Sequence, residues 1–159
     1  MTTSTTTPLE ARMTNPAALL PGVGEAIGGL VAAARAGGLP ESLLALVHLR
    51  VSLINGCASC VHGGARDARA AGETDERLAT VGVWREAPWF TDAERAALDL
   101  AEHATRLADR GDAVPDAVWS EATRHFDEPG LAALLLWIAT SNLFNRMNVP
   151  THQVAGTGW

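Results

Sequence analysis

The stretch PESLLALVHLRVSLING, Pro40 to Gly56, decides the fold. Leu43, Leu44, Val47, Val51 and Ile54 recur three and four residues apart and lie on one side of a helix, while Leu46, Leu49 and Leu53 make a second side. A narrow stripe of Glu41, Ala45, His48, Ser52 and Asn55 separates them. A helix apolar on two sides is buried on two sides, so this segment predicts the central helix of a helical bundle. One small domain has a single core to offer. The second side is therefore expected to meet another subunit, since soluble monomers rarely keep a large apolar patch bare and closed symmetry is the usual resolution.

Working outward, the same helical patterning continues in both directions. Asn15 to Ala36 is broken by Pro21 and Gly22, which predicts one short and one longer helix closed by Gly37-Gly38. Pro40 fits a first helical turn, where its missing N–H has no partner to lose. After the turn at Gly56, helix is expected from Cys57 to Ala71, with Gly72 as its stop. Further helices are expected over Thr74–Trp84, from the capping box Thr91-Asp92-Ala93-Glu94 to about Arg110, from Pro115 to near Phe126, and from Gly130 to about Met147. No run alternates as a strand would, and alanine supplies 29 of 159 residues. The expectation is an all-α single-domain helical bundle over residues 14–159 that oligomerises through its helices, preceded by a disordered tail, residues 1–13.

Composition narrows the function. The net charge is −6 and the 12 cations, all arginine, are scattered, which argues against nucleic-acid binding. The densest apolar run, Leu131 to Ala139, is about half of the roughly 20 residues a bilayer requires. Met1 to Pro8 carries five threonines and no apolar segment, unlike a signal peptide. A cytoplasmic, reducing setting is the expectation.

Chemistry concentrates in Cys57-Ala58-Ser59-Cys60. Residues three apart on a helix bring their Cβ atoms to about 5–6 Å or less, near disulfide reach. A thiol among the unpaired N–H groups of a helix start is favoured as thiolate. A reversible thiol pair is the leading interpretation; two inert buried cysteines or half of a zinc site are the others. Zinc needs four ligands, and only His62 stands nearby, so no metal is expected.

These residues also carry a resemblance. LVHLRVSLINGCASC (46–60), RDARAAGETDERL (66–78), VWREAPWFTDAERAAL (83–98) and SNLFNRMNVPTHQ (141–153) are similar to the alkylhydroperoxidase D-like and carboxymuconolactone decarboxylase proteins. That resemblance implies an all-helical fold without an organic cofactor, a homotrimer or homohexamer, and a cysteine pair that reduces a small-molecule hydroperoxide and is reset by an external thiol reductant. In active relatives a glutamate twelve residues before the first cysteine and a histidine four residues after the second activate the thiol. Here those positions are Ala45 and Gly64, which implies weak or atypical peroxidase activity. The alternatives are a non-catalytic, redox-responsive oligomer or a decarboxylase or isomerase of lactone-type molecules.

Two histidines could stand in for the relay. His48 shares Ala45's stripe, three positions on, and is expected to face the same cavity. His62 lies about 200° around the helix from Cys60. The resemblance favours Cys60 as the cysteine that meets peroxide, whereas the dipole argument favours Cys57. The aromatic residues are expected to fill core and interface, and Asn145-Arg146 to tie subunits together.

Overall fold

The computed structural model describes residues 7–157, all helix and loop with no strand among them. In chain order the helices are α1 (Pro16–Leu19), α2 (Val23–Ala36), α3 (Glu41–Asn55), α4 (Ala58–Ala70), α5 (Asp75–Thr80), α6 (Asp92–Thr105), α7 (Asp116–His125) and α8 (Glu128–Asn148), with a 3₁₀ segment over Val81–Glu86. No helix of the described residues is long and apolar enough to cross a membrane.

The predicted caps set most boundaries. Thr91 accepts from the Glu94 N–H, and the Glu94 carboxylate accepts from the Thr91 N–H, completing the capping box of α6. Asp127 accepts from the Gly130 N–H at 2.9 Å and starts α8 with Pro129 in its first turn. Pro40 proves to be the residue before the helix rather than part of its first turn. Helix α6 stops at Thr105, short of Arg110: Arg106 leaves helical geometry at φ −94° and ψ 55°, and the chain turns on through Asp109 at φ 58°, a conformation aspartate tolerates better than most residues. Residues 1–6 of the expected tail lie outside the described residues. Of the rest, Arg12 is tied to the other end of the chain: its N–H bonds the Thr151 carbonyl at 2.9 Å and its guanidinium the Pro150 carbonyl at 3.0 Å.

Helix α3 is central, and both its apolar sides are buried by its own chain. Leu43, Leu44, Val47 and Val51 pack with Leu100, Leu134, Trp137 and Ile138. Leu46 and Leu49 pack with Ala68, Leu78, Val81, Trp84, Phe90 and Leu98. The expectation that the second side waits for another subunit is therefore corrected: α4, α5 and the 3₁₀ segment fold back over it, and of that side's leucines only Leu53 is exposed. Burial of each leucine contributes about 1.5–3 kcal/mol.

Two polar clusters fix α3 lengthwise. At its C-terminal end the Asn55 amide donates to the side-chain oxygens of Asn142 and Asn145, each at 2.9 Å, and Asn145 donates to the Ser52 hydroxyl at 3.1 Å. Asn145 is thus turned into its own chain and 1% exposed, which corrects its assignment to a subunit contact. Midway along, buried Glu102 of α6 accepts from Arg50 at 2.7 and 2.8 Å, from the Trp84 indole at 2.9 Å and from Arg85 at 2.7 Å, with Arg106 at 3.6 Å. Burial pushes this carboxyl pKa up, but the hydrogen bonds from Arg85, Trp84 and Arg50 outweigh it and the net direction is down.

Candidate active site

The site begins where α3 turns into α4. Gly56 adopts φ 68°, open to glycine at little cost, and ends α3. The Cys57 N–H then bonds back to the Ser52 carbonyl at 3.0 Å. Cys57 itself is the cap of α4: its sulfur accepts from the Cys60 N–H at 3.4 Å. It precedes the first helical turn that Cys60 occupies. The pair forms a disulfide with a Cα–Cα separation of 5.3 Å, the distance such bonds favour.

The two cysteines face different surroundings. Cys57 is 2% exposed, with the Ser59 hydroxyl 3.6 Å from its sulfur. Cys60 lines a cavity of about 280 Å³ whose walls include Ala45, His48, Gly64, Asp67, Trp137 and Phe144, with Arg35 and Glu41 also lining it. Arg35 and Glu41 pair at 2.9 Å. A molecule in the cavity therefore reaches Cys60, and Cys57 is not among the cavity residues. The Asn148 amide donates to the Cys60 sulfur at 3.3 Å.

His48 occupies the place the sequence assigns it, on the Ala45 stripe and in the cavity wall. Its Nδ1 lies 2.9 Å from the Ser141 hydroxyl, and its ring stands edge-on to Phe144 and tilted to Trp137, with centroids about 6 Å away. Burial among these groups pushes its pKa down to about 4, against the opposing pull of Asp67 and of the Cys60 backbone carbonyl. The imidazole is neutral at pH 7. Helices α3 and α4 pass close to each other at position 64: a Cβ on Gly64 would sit 3.0 Å from His48 Cδ2 and 3.9 Å from Leu49 Cα. The ring of His48 thus fills the space that a side chain at 64 would enter. Ala45 and Gly64 both line the cavity and carry no titratable group.

The other sequence-marked residues fall elsewhere. His62 is exposed on α4 and is not a cavity residue; it lies beside Gly156, whose Cβ position is 3.9 Å from its ring. Trp84 and Phe90 are core residues as expected, but Trp89 and Trp119 are 47% and 41% exposed. No cluster of metal-ligating side chains occurs among the described residues. Asn148 was missed by sequence reasoning. The signal available was an amide inside an otherwise matched terminal segment, at the end of an apolar helix.

The neutral state of His48 has a measurable consequence. Its folded pKa lies below the unfolded value, so the stability this preference gives is complete above pH 6.5 and is lost as pH falls toward 4. Denaturant unfolding of wild type at pH 7.5 and pH 4.5 is expected to show a loss larger by about 1–3 kcal/mol than that of His48→Gln. Equal losses would contradict the burial assignment.

Fold and site together define an all-helical protein with a cysteine pair at a helix start, one member of which opens on a small aromatic-walled cavity. Residues 21–103 match the model of the carboxymuconolactone decarboxylase family. The chain belongs to that family. It is 36% identical over 104 residues to the uncharacterized protein YdfG of Bacillus subtilis (strain 168), covering 65% of this chain and 69% of that one. The same identity over 104 residues relates it to the uncharacterized protein YnjA of Escherichia coli (strain K12), covering 65% and 55%. Among solved structures it is similar to a protein of unknown function from Agrobacterium tumefaciens, suggested to be the antioxidant-defence protein AhpD. That likeness has a TM-score of 0.85 and 29% identity, over 94% of this chain and 100% of that one.

Proposed function

We propose that this chain is a thiol-dependent peroxidase that reduces organic hydroperoxides. The observation that carries this reading is the disulfide-forming pair whose Cys60 lines a cavity beside a neutral imidazole. In the reduced state His48 takes the Cys60 thiol proton on Nε2, which requires the tautomer whose Nδ1–H donates to the Ser141 hydroxyl. The thiolate attacks the terminal oxygen of R–O–O–H and the O–O bond breaks. Cys60 becomes sulfenic acid, and the alkoxide takes up a proton and leaves as the alcohol. Cys57 then attacks the Cys60 sulfur, water departs and the disulfide forms. An external dithiol supplies the two electrons that restore both thiols. The antioxidant role suggested for the Agrobacterium neighbour supports the same reading.

In this reading the protein works in a reducing, cytoplasmic setting as a homotrimer or homohexamer. Since α3 buries both its own faces, an assembly surface is better sought at the apolar groove between α6 and α8 that carries Leu107, Leu135, Ala139 and Leu143.

Reduced wild type is expected to consume cumene hydroperoxide in the presence of dithiothreitol, and a Cys57→Ser/Cys60→Ser protein is not. Cys57→Ser alone is expected to stop at sulfenic acid on residue 60, trapped with dimedone and read by mass spectrometry. Consumption no faster than the double serine variant would remove the peroxidase reading and leave the non-catalytic redox oligomer in its place.

A further inference from the structure

Two buried asparagines connect the start of the first helix to the reactive sulfur. Asn15 caps α1 and Asn148 ends α8; they are 7% and 2% exposed. The Ala17 N–H lies 2.9 Å from the side-chain oxygen of Asn15, the Asn15 amide nitrogen 2.8 Å from the side-chain oxygen of Asn148, and the Asn148 amide nitrogen 3.3 Å from Cys60 Sγ. The orientation of each amide follows from the one before. A backbone N–H can only donate, so Asn15 must turn its oxygen to Ala17 and its NH₂ to Asn148. Asn148 must answer with its oxygen, which leaves its NH₂ on the sulfur. A four-residue helix therefore sets the polarity of a hydrogen bond at the thiol site.

We propose that Asn148 is a hydrogen-bond donor that holds the Cys60 sulfur as thiolate, and that Asn15 is the positioning residue that keeps the Asn148 amide facing that way; the role rests on Cys60 being the reactive cysteine. A thiolate is a far better acceptor than a thiol, so a fixed N–H beside it favours the charged form. The donor is also kept where a sulfenate oxygen would form. Other ionisable groups lie in the same cavity: His48 on α3, Asp67 and Arg66 on α4, and the Arg35–Glu41 pair. All remain unaltered in the variants below, so each shift is referred to a common parent.

The test reads the thiol and not the peroxidase. In Cys57→Ser, where serine retains a capping oxygen, Cys60 is the sole thiol, and its iodoacetamide alkylation rate is followed from pH 4 to 10. Adding Asn148→Asp replaces the donor by an acceptor and is expected to raise the alkylation midpoint by about one pH unit or more. Adding Asn15→Asp keeps the cap on Ala17 but removes the NH₂, so Asn148 must flip and present its oxygen to the sulfur. Its midpoint is expected to rise in the same direction, although the change is made at a residue 133 positions from Asn148 in sequence. Circular dichroism confirms that each variant is helical, and Asn15→Asp, which preserves the cap, serves if Asn148→Asp does not fold. Midpoints within about 0.2 of the parent in both variants would overturn the proposal; a shift in Asn148→Asp alone would overturn the positioning role of Asn15. Alkylation needs no hydroperoxide, so these outcomes stay separate from failure of the peroxidase reading.

Discussion

Glu102→Ala is expected to lower the unfolding free energy by about 3–5 kcal/mol, the cost of breaking a buried ion pair from one side. The carboxylate is the common acceptor for Arg50, Arg85 and the Trp84 indole, with Arg106 close by, and its side chain is 4% exposed. Arg50 has nowhere to go once it is removed, because it projects from a helix otherwise flanked by leucine and valine and is itself 9% exposed. Typical domains have only about 5–15 kcal/mol in total, so this one change brings the chain near its folding threshold. Glu102→Gln, which keeps an acceptor and loses the charge, is expected to fall between the two. Urea denaturation with an unchanged slope is the measurement, and a loss below about 1 kcal/mol for the alanine variant would show that the cluster contributes little.

The second large effect concerns the imidazole. His48→Ala is expected to lower kcat/KM for cumene hydroperoxide by about 10²-fold or more, the usual scale of a general acid–base contribution. Placing histidine at position 64, where the resemblance implies the relay histidine, is expected to fail in wild type, because a Cβ there already meets His48 Cδ2 at 3.0 Å. Gly64→His should therefore reduce both stability and turnover on its own. Combined with His48→Ala it should recover at least about tenfold over His48→Ala, since one imidazole then replaces the other over the same helix crossing. A rise in turnover for Gly64→His alone, with no effect of His48→Ala, would assign the proton transfer elsewhere.

Much of this was legible in the sequence, and the reasons are local. Gly56 and the Thr91–Glu94 box punctuate helices through backbone chemistry that operates within four residues, so boundaries read there hold, while the last helix, capped by Asp127, begins at Glu128, two residues before the expected Gly130. The placement of His48 followed from helical geometry once the resemblance had marked Ala45's stripe as facing the cavity: three positions after Ala45 is the same face. What failed needed knowledge of distant partners. The two apolar sides of α3 are visible in the sequence, yet whether Leu46 and Leu49 meet another subunit or residues 68–98 of the same chain depends on how α4 and α5 return. Nor does any short-range pattern bring Asn15 to Asn148. Arg50 did carry an unread signal, since an arginine within a leucine-rich helix demands a buried carboxylate, and the sequence could have been searched for one.

The position of α3 between two apolar clusters also governs how the molecule opens. A helix that forms a wall of both cannot detach from one while the other stays intact, so its amide protons are shielded until the whole chain lets go. The cysteine pair hangs from the end of this most persistent element, joined to it through a single glycine. Slow hydrogen exchange should thus run up to the threshold of the thiol site. Fluctuations that admit or release small molecules are left to the surrounding elements, and the floor beneath Cys60 lasts as long as the fold itself.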